Sequence, residues 1–243
     1  MNDRNLVMSY HRMRRWVGYL GISLPFTLFF GNKLFDFLKI YQRTTLMQMC
    51  DLCFQSSGTL KGSISEYYYS PMGELFVGTL CAVAFFLFSY KGYPLKEGEA
   101  KFTSDSLITN LAGLCALMVA IFPMDFDSCF NNNFRSFISH PFVGKIHYIS
   151  AVLFFSLLAV MCLLNFRRTD TVSNFGKMPS HNFYKWCGRG IIVSLVLAGL
   201  FKVITPLNEF AKEHDFHYLF WFETTSLLFF GASWLKKGQV SSN

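Results

Sequence analysis

Ionisable side chains border the long apolar runs of this sequence, and we expect most of them to gather on one side of the fold. Glutamate, aspartate, histidine and lysine can form ion pairs, hold a polar ligand or, as sets of histidines and carboxylates, bind a metal ion. A charged group in an apolar environment costs free energy, so it usually faces the interior of a helical bundle or water. The residues of this set are Glu66, Glu74, Asp125, Asp127, Lys145, His147, Lys202, His214, His217 and Glu223.

Two histidines and an aspartate have the residue types of a zinc site. His214 and His217 are three residues apart, so on a helix they would share a face, and Asp125 or His147 could add a ligand. A zinc ion held there would activate water to attack a lipid ester or amide, with a carboxylate as general base. This pattern predicts a metal-dependent lipid hydrolase as an alternative function, whereas our main interpretation needs no cofactor.

Three of the seven cysteines lie on the predicted outer side of the membrane. Cys50 and Cys53 have the C-x-x-C spacing of thiol–disulfide exchange proteins, and Cys129 lies in a later loop on the same predicted side. In an oxidising compartment two of these three thiols could form a disulfide. We favour a bond between the first outer loop and Cys129, with a redox pair of Cys50 and Cys53 as the alternative.

The apolar runs that position these residues dominate the composition. Of the 243 residues, 52% are hydrophobic and 15% are charged, whereas about a quarter of the residues in a soluble domain are charged. A membrane-spanning helix needs about 20 mostly apolar residues, so we predict an all-α, polytopic integral membrane protein with six transmembrane helices in one domain. The predicted spans are about residues 16–32, 67–90, 106–124, 143–166, 188–207 and 214–235.

Lysines and arginines predict the orientation of these helices. Fourteen of the 22 fall at the two termini and in the loops on the same side as the termini. By the positive-inside rule both termini therefore face the cytoplasm. The basic residues are divided among short loops and form no continuous stripe, so the sequence predicts no nucleic-acid partner.

The longest predicted connection, residues 33–70, then lies on the outer side and is too long for a simple turn. Its apolar residues recur at roughly helical spacing with charged residues between them. We predict an amphipathic helix lying at the outer surface, with a cap over the bundle as the alternative. The apolar residues are Leu34, Phe37, Leu38, Tyr41, Leu46, Met49 and Leu52.

The segment that leads into the second predicted helix reads I-S-E-Y-Y-Y from Ile64 to Tyr69 and continues to Pro71, Glu74 and Phe76. This motif resembles one found in a family of uncharacterised bacterial multi-pass membrane proteins. The same motif is similar to the damage-regulated autophagy modulator and FGF-receptor-activating-protein superfamily of six-pass proteins. The resemblance implies a six-pass topology in a bacterial inner membrane and no particular reaction. Further agreement lies at Phe122-Pro123, His147, Cys187-Gly188 and Phe222-Glu223.

These residues predict a polar pocket at the outer leaflet that acts without catalysis. It would bind or sense a lipid or small ligand, or support a partner membrane protein, so membrane lipids and a membrane protein are the predicted partners. A buried ion pair of Lys202 with Glu223 or Glu74 is part of this prediction. A small transporter is the third function, and the lack of an internal repeat disfavours it. The candidate ligand-binding residues are Glu66, Glu74, His147, Lys202 and Glu223.

Overall fold

The computed structural model describes residues 3–38, 60–92, 104–124, 142–169 and 180–239. Within these ranges the regular structure is entirely helical, with seven α-helices and no strand. Cys50, Cys53, Asp125, Asp127 and Cys129 lie outside the described residues, as does most of the predicted amphipathic helix. The helices are α1 (Asp3–Phe37), α2 (Gly73–Phe88), α3 (Asp105–Ile121), α4 (Val143–Val160), α5 (Ser180–Val203), α6 (Thr205–Glu213) and α7 (Tyr218–Lys237).

Two helical segments are long and apolar enough to cross a membrane. They are Val143–Asn165 and His181–Val203, each of 23 residues. Gly73–Phe88 and Asp105–Ile121 are apolar but shorter. This composition is compatible with a membrane protein.

Six of the helices form a closed ring, and α6 lies beside it. In the described part of the chain α1 packs on α2, α2 on α3, α3 on α4, α4 on α5, α5 on α7, and α7 returns to α1. Glycines allow the close approach of α1 and α7, because a Cβ atom on Gly18 would lie 2.8 Å from the carbonyl oxygen of Gly231. The ring leaves one end of α4, α5 and α7 around a common space.

The segment before α2 forms a short 3-10 helix, Ser65–Tyr69, and not the start of a long α-helix. Ser70 has an extended backbone, and its hydroxyl accepts a hydrogen bond from the Met72 N–H at 3.1 Å. The α-helix therefore begins at Gly73, later than the residue 67 that the sequence predicted. The break turns the residues before Ser70 towards α7.

The last predicted span, residues 214–235, begins too early, because it placed both His214 and His217 on one helix. The structure ends α6 at Glu213 and begins α7 at Tyr218, with a turn between them. Asp215 has a φ of 51°, and the Phe216 N–H donates to the Ala211 carbonyl at 2.7 Å. This left-handed helix end separates the two histidines, so they do not share a helical face.

Helix α4 changes its winding at its end. A π-helical turn, Met161–Asn165, follows Val160, and a 3-10 turn, Phe166–Thr169, follows that. A π turn is wider than an α turn and displaces the following side chains around the helix. It delivers Asn165 and Phe166 to the buried interior, where both are at most 1% exposed.

Candidate functional site

A cavity of about 490 Å³ lies among α4, α5 and α7 at one end of the ring. Its walls are overwhelmingly apolar. The segment before α2 and Met124, just after α3, complete its lining. Three of the five predicted ligand-binding residues, His147, Lys202 and Glu223, line this cavity together.

The other two predicted residues lie elsewhere. Glu74 is in the first turn of α2, where its side chain is exposed. Glu66 lies in the 3-10 helix and lines a second, smaller cavity. Because the chain leaves helical geometry at Ser70, Glu66 and Glu74 lie on different elements. The sequence motif that contains both residues therefore does not form one site.

Glu223 joins the wall of the cavity to α7. Its Oε2 accepts a hydrogen bond from the backbone N–H of Ile64 at 2.7 Å, and the N–H of Ser65 also donates to it. One turn earlier on α7, the N–H of Phe220 donates to the carbonyl of Gly62 at 3.0 Å. These bonds satisfy backbone groups of a non-helical segment that would otherwise be unpaired in the interior.

Lys202 lies in the last turn of α5 at the rim of the cavity. Its ammonium nitrogen lies 4.1 Å from the centroid of the Tyr148 ring, which is a cation–π distance. Among the described residues no ion pair joins Lys202 to Glu223 or Glu74, because the Glu223 carboxylate is directed to backbone N–H groups instead. The predicted ion pair is absent from this part of the chain.

His147 is held in one orientation by the end of α3. Its Nδ1 lies 2.7 Å from the carbonyl oxygen of Phe122, and the side chain is buried. A carbonyl can only accept, so the hydrogen bond assigns the proton to Nδ1. Pro123 follows Phe122 and has no N–H, and helix α3 stops at Ile121. The histidine therefore anchors α4 to a helix end while its ring lines the cavity.

Two serines of the cavity were missed from the sequence. Ser194 on α5 is 4% exposed and Ser226 on α7 is 3% exposed, and both line the cavity. No hydrogen bond joins either hydroxyl to another residue in the part of the chain that the structure describes. Their spacing was a usable signal, because Ser194 is two turns before Lys202 and Ser226 is three residues after Glu223.

The second cavity, of about 270 Å³, lies between the 3-10 segment and the turn that follows α6. Glu66 lines it, and its Oε2 accepts the N–H of Gly62 at 2.8 Å. Burial raises the pKa of Glu66, while the Gly62 N–H and the charges of Lys61 and His217 oppose that rise. Burial also lowers the pKa of Lys61, against the attraction of Glu66.

The predicted metal ligands are dispersed. The ring of His214 stacks on Phe210 with centroids 4.3 Å apart, and its Nδ1 lies 3.0 Å from the Phe210 carbonyl. The Nδ1 of His217 lies 2.7 Å from the Asp215 carbonyl. Within the described residues no group of three histidine, cysteine, aspartate or glutamate side chains could hold a metal ion. Asp125 lies outside those residues, so the zinc site stays a prediction.

The predicted disulfide also stays a prediction. Its three candidates, Cys50, Cys53 and Cys129, lie outside the described residues. The cysteines that the structure describes are free thiols, and they belong to the helical interior or to its edges. They are Cys81, Cys115, Cys162 and Cys187.

The opposite end of the ring contains a second group of buried polar residues, which we name the polar cluster: Arg14, Tyr90, Asp105, Asn165 and Lys237. Arg14 is 2% exposed and donates from Nη1 to the Lys237 carbonyl at 3.3 Å and from Nη2 to the Tyr90 hydroxyl at 3.5 Å. Asn165 donates from Nδ2 to Asp105 Oδ1 at 2.5 Å. In the sequence Arg14 and Lys237 indicate only the orientation of the helices, and their burial is not predicted.

Aromatic rings pack tightly around the polar cluster. The Lys237 ammonium donates to the Phe166 carbonyl at 3.0 Å and lies 5.6 Å from the centroids of both the Phe166 and Tyr184 rings. Trp234, which is fully buried, contacts Tyr90 and Phe166 edge to face. The cluster is therefore a filled polar interior.

Comparison with known proteins assigns the chain to a family. A family model described as "Protein of unknown function (DUF998)" matches residues 56–231. No curated protein and no solved structure matches the chain. The match includes every residue that lines the cavity, whereas Arg14 and Lys237 of the polar cluster lie beyond its ends. The chain belongs to the DUF998 family of proteins of unknown function.

Proposed function

We propose that this protein is a six-pass integral membrane protein that binds a lipid or another small apolar ligand in the cavity among α4, α5 and α7. The observation that carries the proposal is the cavity itself, with about 490 Å³ of space lined by mainly apolar walls. Ligand pockets commonly measure roughly 300–1,000 Å³ and combine apolar walls with a few placed polar groups. Binding or sensing, or support of a partner membrane protein, needs no bond cleavage and no cofactor.

The outward faces of the ring support a membrane location. Large apolar side chains on four different helices are more than half exposed, as expected of a surface that contacts lipid tails and not water. A ring of six helices also agrees with six spans. The four side chains are Phe30 on α1, Phe85 on α2, Ile149 on α4 and Trp186 on α5.

The distribution of lysines and arginines supports cytoplasmic termini. With that orientation the polar cluster lies on the cytoplasmic side, and the cavity opens towards the outer leaflet of a bacterial inner membrane. Lipid then has direct access to the cavity from the side, because Gly199 on α5 leaves open space where a side chain would stand.

The unsatisfied hydroxyls give a physical reason for an occupant. A buried polar group without a partner costs about 1–3 kcal/mol. Ser194 and Ser226 line the cavity and hydrogen-bond to no other described residue, so an occupant that excludes water from them without a hydrogen bond would incur this cost. A ligand or water that accepts or donates hydrogen bonds there recovers this free energy.

Substitution of a single glycine tests the proposal. A Cβ atom on Gly199 would meet no atom within 4 Å, and the residue lines the cavity, so Gly199→Phe fills the space without a clash in the helix. Gly78 on α2 has equally open surroundings but lies outside the cavity, so Gly78→Phe is the matched control.

Native mass spectrometry of the detergent-purified protein measures the retained lipid. We expect the wild type and Gly78→Phe to retain lipid and Gly199→Phe to lose most of it. Equal retention in all three proteins would show that lipid binds elsewhere and would overturn the proposal. Loss of lipid in both variants would mean that added bulk, and not the cavity, controls retention.

A further inference from the structure

We infer that the ligand of this cavity is a bipolar amphiphile, with an anionic group at the rim beside Lys202 and a hydroxyl or similar hydrogen-bonding group at the floor beside Ser194 and Ser226. An apolar body of about 12 Å joins the two ends. This inference rests on the proposed function and specifies the chemical class of its ligand. Three observations carry it. No carboxylate of the described residues pairs with the rim cation, no described residue hydrogen-bonds to the floor hydroxyls, and a fixed distance separates the cation from the hydroxyls.

The rim presents a positive charge that no carboxylate of the described residues neutralises. Lys202 is exposed, and its ammonium contacts the face of the Tyr148 ring at 4.1 Å. A cation–π contact of this kind holds the ammonium in place and leaves its N–H groups able to donate. An anionic headgroup at the rim would complete the charge pair that Glu223 does not supply.

The floor presents hydrogen-bonding groups in an apolar space. Ser194 and Ser226 are more than nine-tenths buried as residues, and their hydroxyls line the cavity and make no hydrogen bond to another described residue. Serine at other places in these helices usually donates back to its own helix, as Ser156 does to the Val152 carbonyl at 2.7 Å. A purely apolar tail would leave the two floor hydroxyls unsatisfied, so the deep end of the ligand is polar.

The separation of rim and floor defines the length of the ligand. Ser194 and Lys202 are eight residues apart on α5, which corresponds to about 12 Å along a helix. The wall between them is apolar and includes Leu195 and Ala198. A long-chain hydroxy acid or a hydroxylated polycyclic acid has this arrangement of an anion, an apolar body and a hydroxyl.

Glu223 determines which end of the ligand lies at the rim and which lies at the floor of the cavity. It lies between the rim and the floor, three residues before Ser226, and its carboxyl group acts as a hydrogen-bond acceptor towards Ile64. An acceptor at this depth favours a hydroxyl, which can donate to it, over an anionic group, which cannot. The anion is therefore directed to Lys202 and the hydroxyl to the interior.

Three probes of equal chain length separate these contributions: 12-hydroxydodecanoate carries both polar groups, dodecanoate lacks the hydroxyl, and 1,12-dodecanediol lacks the anion. Affinities are measured by isothermal titration of the full-length protein in one detergent, so that partition of each probe into micelles cancels between variants. Lys202→Met removes the rim cation, and the double substitution Ser194→Ala with Ser226→Ala removes the floor hydroxyls. Lys212→Met and Ser156→Ala are the matched controls, because neither residue lines the cavity.

We expect Lys202→Met to weaken both acids about tenfold and the diol less than about twofold, since only the acids pair with the cation. We expect the double serine variant to weaken 12-hydroxydodecanoate about fivefold and to leave dodecanoate unchanged, since a net hydrogen bond contributes about 1 kcal/mol. The control variants should change none of the three affinities.

Two results would overturn the inference while the proposed function survives. One is that Lys202→Met weakens the diol as much as the acids, and the other is that Lys212→Met weakens the acids equally, which would indicate surface charge alone. In both cases Gly199→Phe would still abolish binding of all three probes. If Gly199→Phe leaves every affinity unchanged, or the wild type binds none of the probes, the proposed function itself fails.

Discussion

Both ends of the helical ring contain polar residues in an apolar interior, but the contacts that these residues make differ between the two ends. In the polar cluster, charged side chains hydrogen-bond to neutral side chains or to backbone carbonyls, and aromatic rings fill the space around them. At the cavity, the Lys202 ammonium contacts the Tyr148 ring and pairs with no carboxylate of the described residues, and the Ser194 and Ser226 hydroxyls line open volume without a hydrogen bond to another described residue. A polar group that the protein satisfies serves the fold, whereas one that faces a cavity is available to a ligand.

The largest effect that this contrast predicts is at the polar cluster. Asp105→Ala removes the acceptor of the Asn165 amide and leaves buried polar groups unpaired. We expect a loss of about 3 kcal/mol in the free energy of unfolding, measured by denaturant titration in mixed micelles. Asp36→Ala, at an exposed position of α1, is the control and should change it by less than about 0.5 kcal/mol. A loss below about 1 kcal/mol for Asp105→Ala would contradict a structural role of the cluster.

Glu223 combines the two properties, because it lines the cavity and also hydrogen-bonds to backbone within the protein. Glu223→Ala leaves the Ile64 N–H without its acceptor, so we expect a loss of about 2 kcal/mol in the free energy of unfolding. Glu223→Gln retains an acceptor oxygen and should cost less than about 1 kcal/mol. If the two substitutions cost the same, the hydrogen bond to Ile64 contributes little, and the wall of the cavity is held by other contacts.

Glu66 predicts a dependence of stability on pH. Its pKa is raised in the folded state by burial, so between the ordinary value near 4.5 and the raised value the folded protein holds a proton that the unfolded chain releases. The free energy of unfolding should therefore fall as the pH rises through this interval. Glu66→Gln keeps an acceptor for the Gly62 N–H and should flatten this fall, in thermal unfolding followed from pH 4 to 8.

The charged groups near Glu66 provide control substitutions for the pH measurement. Lys61 and His217 lower the pKa of Glu66, and Glu223 on α7 lies close enough to interact with it electrostatically. His217→Gln removes one of these charges and should extend the fall to higher pH. An identical pH profile for the wild type and Glu66→Gln would show that another group titrates in this interval.

The smallest expected effect on stability is at the floor of the cavity. Ser194→Ala and Ser226→Ala remove hydroxyls that make no hydrogen bond to another described residue, so each should change the free energy of unfolding by less than about 0.5 kcal/mol or increase it. The same titrations in micelles measure this. A loss above about 1 kcal/mol would mean that the hydroxyls are satisfied by the protein after all, and the contrast with the polar cluster would disappear.

Part of the cavity could be predicted from the sequence for a geometric reason. His147 lies at the start of an apolar run, Lys202 near the end of the next and Glu223 near the start of the last, so antiparallel helices bring the three to one side. Helical spacing from Lys202 and Glu223 would also have reached Ser194 and Ser226. Residues on regular helices are predictable because their positions follow from the rise and the turn.

The remaining residues depend on features that local patterns do not encode. Glu66 and Glu74 separate because the chain leaves helical geometry at Ser70, and His214 and His217 separate at the left-handed Asp215. The burial of Arg14 follows from tertiary packing, since a cation near the end of an apolar run has the same sequence pattern whether it contacts lipid headgroups or the protein interior.

The π turn at Met161–Asn165 accommodates one extra residue near the end of α4. A π turn contains one residue more than the α turn that it replaces. Deletion of one residue within the turn would restore an α-helix and leave Asn165 on its present face, beside Asp105. The same deletion in the α-helical part before the turn would rotate Asn165 by about 100° and break this contact although no polar residue had been substituted. The cost of a one-residue gap in a relative therefore depends on whether the gap falls within the π turn or before it.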